Sequence, residues 1–355
     1  MSIAYTSNTV SGSTLVDIVS YENVYVAQNV TAGSTGNVGV HGTGDYDLVS
    51  VIGNLFGTYY AIELGDNVSS TGNSVFVGAD GSVIGAGGQS DGGGHTPGIG
   101  IAVFGVDTNI ENRGLVFGDD TGILIDSFQS DNVSSLIINK GSISGFGRGI
   151  DHQADQMLIV RNTGSIEGGD YAYFGSFGID HIINRGEFIG DIDLSGGNDV
   201  YNGRKTGYVD GTVYGGSGSD RLIGGSDDDW LAGSYDKDTL TGGKGDDDFY
   251  FMSSLTGNAD ADQITDFSVA DDTIVLDDGI FSALIGKDLT PTILQRGGGG
   301  GSGAGRQPKE SPYLIYDSNK GTLAYDADGR GGSAAIVFTT LDTGLKLTAH
   351  DFLLI

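Results

Sequence analysis

The sequence predicts an all-β chain: a right-handed parallel β-helix, then a parallel roll of shorter period, then a β-rich C-terminal cap. Three observations carry that expectation. Apolar residues come in short runs such as "LVSVIG", "YYAIEL" and "GIGIAVFG", cut by glycine, asparagine and aspartate, with little 3.6-residue periodicity. An asparagine-marked unit returns every 22 to 27 residues in the first half, and a glycine- and aspartate-rich unit returns every nine residues later on. Fixed periods in a β-rich chain mark a solenoid.

Residues 1–193 are the expected β-helix. Its clearest units are "IENRGLVFG", "IINKGSISG", "VRNTGSIEG" and "IINRGEFIG", with asparagines at 112, 139, 162 and 184. Each asparagine is followed two residues later by glycine and four later by Val116, Ile143, Ile166 or Phe188. Asparagine tolerates tight turns, and stacked amides can bond to one another along the axis. "TGILID", "RGIDH" and "FGIDH" read as a second strand of each unit, and "SDGGGHTPGIG" (90–100) as a protruding loop. Units of this length imply about seven to nine coils.

Composition narrows the function classes. With 47 acidic and 17 basic residues among 355, the net charge is −30, which disfavours nucleic acid and anionic membranes as partners and favours cations. A 38% hydrophobic fraction supplies a core. The absence of cysteine removes thiolate and disulfide chemistry. No run of about 18 apolar residues predicts membrane insertion, and "MSIAYTSNTVSGSTLVDIVS" does not read as a signal peptide.

Residues 194–250 form the expected roll. In register they read "GGSGSDRLI", "GGSDDDWLA", "GSYDKDTLT" and "GGKGDDDFY", starting at 215, 224, 233 and 242. The first six residues of each make a turn, in which Gly216, Gly218, Gly225, Gly243 and Gly245 free the backbone to point carbonyls inward. Asp220, Asp229, Asp238 and Asp247 supply hard oxygen ligands, and Leu222, Leu231, Leu240 and Phe249 point into the core. Two units close one coil, so Asp220 is expected over Asp238 and Asp229 over Asp247, with an ion between each pair. Carboxylate plus carbonyl oxygen suits calcium, in roughly two to four copies. Asp227 and Asp236 replace the fourth-position glycine and Ser234 a second-position glycine; aspartate tolerates the left-handed geometry that the turn needs. "LSGGNDVYN" (194–202) is a degenerate unit with Asp199 in the ligand place, and "TGYVDGTVY" (206–214) keeps only Val213.

These nonapeptides resemble those of the RTX family of secreted bacterial proteins, and the resemblance extends over about 194–355. It implies that Asp262 and Asp266, in "DQITDF", complete a last calcium site as in serralysin-type C-terminal domains; an exposed acidic strand is the alternative. It also implies that the ending "LTAHDFLLI" is an uncleaved signal read by type I export machinery, although a final core strand would look the same. The cap, 251–355, contains a flexible insertion at 296–311. An extracellular or cell-surface location follows, with calcium-poor cytosol keeping the roll unfolded until export.

A catalytic domain often precedes such repeats. No H-E-x-x-H or G-x-S-x-G occurs. The candidates are two "GIDH" motifs, Asp151–His152 and Asp180–His181, with Tyr171 and Tyr173 nearby. Similar placement within their repeats makes a structural turn the first reading. Residues 1–193 hold five basic against 22 acidic residues, a poor match to an acidic polysaccharide. Arg113, Lys140 and Arg185 share one turn position, as solvated charges or as a basic seam for assembly. The expectation is a secreted calcium-binding structural or adhesive protein of a surface layer, matrix or filament, whose partners include glycans or further copies of itself. The alternative is a β-helix polysaccharide lyase or epimerase.

Overall fold

A computed structural model describes residues 1–65, 70–89, 95–127, 133–286, 294–296, 313–329 and 334–355. It is all-β and a parallel β-solenoid, divided into two units: residues 1–197 with 206–211, and residues 198–205 with 212–355. The insertion at 297–311 and the loop tip at 90–94 lie outside the described residues. Below that tip, Gly88–Gln89 and His95–Thr96 pair antiparallel.

In the first unit each complete coil carries three strands, where the sequence suggests two. The first ladder stacks Ser2–Tyr5, Asn23–Val26, Leu48–Val51, Ser74–Val77, Asn109–Asn112, Ser134–Asn139, Met157–Asn162 and Asp180–Asn184 in parallel. Its inward column is Val24, Val49, Val75, Ile110, Ile137, Val160 and Ile182, all buried. β-Branched side chains suit this pleated, enclosed surface. The second ladder places Val116, Ile143, Ile166 and Phe188 in one fully buried column. The third contains Ile99–Phe104, Thr121–Asp126 and Arg148–His152. Ser165–Phe174 supplies second and third strands in one run, which hides the boundary from a sequence reading.

The four asparagines form one buried amide ladder. Nδ2 of Asn112 donates to Oδ1 of Asn139 at 2.8 Å, Asn139 to Asn162 at 2.9 Å, and Asn162 to Asn184 at 3.0 Å. The second Nδ2 hydrogens go to the carbonyls of Ser142, Ser165, Glu187 and Tyr208. Oδ1 of Asn112, Asn162 and Asn184 also accepts the amide of the glycine two residues on. Burying polar groups with this many partners carries little of the usual desolvation cost. Val26, Val51 and Val77 occupy the same column in earlier coils, so the repeat signal fades in the first hundred residues.

The second unit uses two strands per coil. One parallel ladder runs Val200–Asn202, Arg221–Ile223, Thr239–Thr241, Asp262–Ile264 and Ile336–Thr340. The other runs Thr212–Gly216, Trp230–Ser234, Asp248–Phe251, Thr273–Leu276 and Phe352–Leu354. Leu222, Leu231, Leu240 and Phe249 are fully buried, with Tyr201, Val213, Ile264 and Ile274 continuing the columns. Leu314–Asp317, Thr322–Tyr325 and Ile336–Thr340 add an antiparallel sheet.

Candidate metal centre

Each nonapeptide turn brings its aspartate back over its own first residue. A Cβ at Gly215, Gly224, Gly233 or Gly242 would collide with Oδ2 of Asp220, Asp229, Asp238 or Asp247. The first-position glycine is therefore demanded by the returning carboxylate, joined by the Gly233 carbonyl at Gly215 and the Gly242 carbonyl at Gly224, since none of these four has positive φ. The second and fourth positions are demanded by the backbone: φ is 102° and 116° at Gly216 and Gly218, 81° and 69° at Ser234 and Asp236, and 116° and 125° at Gly243 and Gly245. Ser195 (64°) and Gly197 (137°) follow the same pattern in the degenerate unit. Aspartate survives in that conformation at Asp236 but does not adopt it at Asp227, and Gly225 is not left-handed either. The second turn instead closes on itself, with the Gly225 amide donating to Oδ2 of Asp229 at 2.6 Å.

The ligand aspartates stack into two ladders. The amide of Asp199 donates to Oδ1 of Asp220 at 2.8 Å, Asp220 to Asp238 at 2.8 Å, and Asp238 to Asp262 at 2.9 Å. On the other side Asp229 donates to Asp247 at 2.9 Å and Asp247 to Asp272 at 3.2 Å. Asp272 is absent from the sequence reading. Its signal is the short pattern aspartate–any–apolar, Asp272-Thr273-Ile274, which matches Asp247-Asp248-Phe249 but lies 25 residues away instead of 18.

These carboxylates are charged groups held out of water. Burial, reinforced by Asp236, pushes Asp220 up to about 6, and burial, reinforced by Asp227 and Asp228, does the same to Asp229. Burial raises Asp247 to about 7, with help from Asp272 and Asp229. Asp238 is raised by burial and by the charge of Asp262, and Asp262 by burial and, less, by the charges of Asp220 and Asp260. Oδ2 of Asp220 and of Asp238 has no hydrogen-bond partner among the described residues. Buried carboxylate oxygens beside like charges fit a hard cation. No three acidic or imidazole side chains form a ready metal cluster among the described residues. Turn carbonyls and water must complete any shell, as calcium's six to eight oxygens allow.

Residues 214–249 match the family model of the RTX calcium-binding nonapeptide repeat in four copies. The chain carries RTX repeats. Repeats of this family bind calcium. Neither a curated protein nor a solved structure matches the chain.

The RTX ladder extends beyond the matched segment, but not as one site of Asp262 with Asp266. Asp262 stands on Asp238, whereas Asp266 accepts the amides of Gly242 and Gly243 at 3.0 and 3.1 Å. Asp266 thus closes a turn in the other stack, where its charge acts on Asp247 and Asp272. Residues 257–265, "GNADADQIT", repeat the pattern of "GSYDKDTLT" at 233–241, with Thr265 and Thr241 hydroxyls 2.7 Å apart. Asp236, Asp260 and Asp262 line a cavity of about 310 Å3 there.

The two "GIDH" motifs occupy different places. Asp151 and His152 end a third-ladder strand, whereas Asp180 and His181 open a first-ladder strand. His152 Nδ1 lies 2.7 Å from Asp180 Oδ1, both fully buried, with the Tyr173 hydroxyl 3.4 Å from the same nitrogen. Asp151 instead meets Arg148 at 2.6 Å and Gln153 at 2.7 Å, and Arg148 lies over the Phe174 ring. The basic seam is partly neutralised: Arg113 and Lys140 both bind Glu111 at 2.8 Å. Arg185 donates to the Asn184 carbonyl.

Proposed function

We propose that this is a secreted structural or adhesive protein whose RTX unit orders on calcium outside the cell. The observation that supports the reading is the double aspartate ladder, with desolvated carboxylates whose Oδ2 atoms at Asp220 and Asp238 lack partners. Without a divalent cation these carboxylates repel and favour the unfolded chain. With calcium at about 100 times its dissociation constant, each site adds roughly 2.7 kcal/mol to the folded state. Few such sites match the whole stability of an ordinary domain. Calcium-poor cytosol then keeps the segment open for type I export, and the outside medium closes it.

The test is circular dichroism of the intact chain in calcium and in chelator. A reversible gain of strand signal on adding calcium is expected; identical spectra and melting curves in both would sink the proposal. The scaffold role is tested by electron microscopy, where calcium-dependent ordered assemblies are expected. Turnover on a polysaccharide panel would favour the lyase or epimerase alternative.

A further inference from the structure

An RTX-like turn recurs early in the sequence, where the first unit passes from its second coil (Val40–Gly42) to its third (Leu48–Val51). Residues 42–50, "GTGDYDLVS", place glycine first, aspartate fourth and sixth and an apolar residue eighth, as "GSYDKDTLT" does at 233–241. The turn itself is wound differently, with Tyr46 at the fifth position left-handed (φ 56°) and Thr43 and Asp45 not, but the rung hydrogen bonds agree. The amide of Glu22 donates to Oδ1 of Asp47 at 3.0 Å, as Asp220 does to Asp238. The amide of Asp47 donates to Oδ1 of Asn73 at 2.9 Å, as Asp238 does to Asp262. Ser74 takes the Asp47 carbonyl at 2.8 Å, as Gln263 takes that of Asp238. Val49 is the buried counterpart of Leu240.

The carboxylate is buried, as in the roll. Asp47 is only 1% exposed, and its Oδ2 has no hydrogen-bond partner among the described residues. A Cβ at Gly42 would stand 2.7 Å from Leu64 Cδ2 and 3.1 Å from that oxygen, so the carboxylate turns back toward its first residue but less closely than the 2.2–2.5 Å of the roll. Burial raises its proton affinity, the Glu22 and Gly44 amides facing the carboxylate oppose that, and the charges of Glu22 and Asp45 add to it. Asp45 is held in turn by the Thr71 amide, which donates to its Oδ1 at 2.9 Å.

We propose that the 42–47 turn is a calcium site of the first unit, with Asp47 Oδ2 as its buried ligand and Asp45 and Glu22 as its supporting charges. The remaining ligands come from turn carbonyls and water, since three carboxylates do not form a ready cluster here. The inference rests on the reading of the roll, whose rung hydrogen bonds it repeats, but its site is separate. A metal there orders the start of the first unit, where the asparagine ladder is missing.

Native mass spectrometry of the full chain in calcium, with hydrogen exchange of Leu48–Val51, tests the proposal. Asp47→Asn should lower the bound calcium count by one. At calcium near ten times the dissociation constant, wild type should exchange these amides roughly tenfold more slowly than in chelator. Asp47→Asn should lose that difference, and Asp238→Asn should keep it. Asp45→Asn, which retains an acceptor for Thr71, is the second variant and should weaken the same protection. An unchanged count in Asp47→Asn, or exchange of Leu48–Val51 in wild type that ignores calcium, overturns the site and identifies a water-filled turn. Loss of calcium binding at the roll alone, in Asp238→Asn, leaves this site standing and confirms that the two are separate.

Discussion

Asparagine and aspartate solve the same stacking problem with different requirements. An asparagine amide both donates and accepts, so Asn112, Asn139, Asn162 and Asn184 satisfy one another directly. An ionised aspartate only accepts, so each rung of the second unit borrows a backbone amide; Asp220 and Asp238 keep an oxygen for a cation, whereas that of Asp229 takes the Gly225 amide. Asn162→Ala should cost about 2–3 kcal/mol in urea unfolding, because the Gly164 amide and Glu187 carbonyl lose buried partners. Thr163→Ala, at the next and exposed position, should stay within about 0.5 kcal/mol. Asp238→Asn should act with opposite signs: it removes a buried charge, so it stabilises the second unit in chelator and destabilises it in calcium. Thermal melts of variant and wild type in both conditions check this.

At the scale of the strand and turn, the raised carboxylates set a pH dependence. A group whose folded pKa exceeds its unfolded value stabilises the fold below the unfolded value, and that stability is lost as pH rises through the folded one. In chelator, Asp220 and Asp229 near 6 and Asp247 near 7 therefore weaken the second unit as pH climbs from about 4 to 8. Calcium takes the ionised form, so its affinity should rise over the same window and its binding should release protons. Titration calorimetry at pH 6.5 in buffers of different ionisation enthalpy measures that release; buffer-independent heats would contradict it. Much of this was legible in the sequence, because nine-residue spacing and apolar eighth positions identify turn, ligand and core together. Asp272 and the 42–50 turn were not, because loops of other lengths break the period while the aspartate–any–apolar pattern persists. The likeness of the "GIDH" motifs misled for a related reason: four shared letters say nothing about which ladder a strand enters.

For the whole molecule, the two ladder chemistries predict unequal calcium dependence. Coils between Asn109 and Asp193 stand on amides and an apolar column, and should keep their strand signal in chelator. The second unit should lose its own. Trp230, half-exposed beside Asp229, should report only the second event. Far-UV circular dichroism and tryptophan emission in a calcium titration should then show a partial loss in one and a full transition in the other. Coincident, complete loss by both probes would refute the division.

The rungs keep register although the chain between them varies. Asp220 and Asp238 are 18 residues apart, Asp238 and Asp262 are 24, and Val77 and Asn112 meet across 35. The ladder specifies which residues arrive at a rung and leaves free how much chain is spent between them. A guest peptide spliced between Phe251 and Gly257 would therefore add length without moving Asp262, making this turn a place to graft binding loops or epitopes whose presentation calcium switches on.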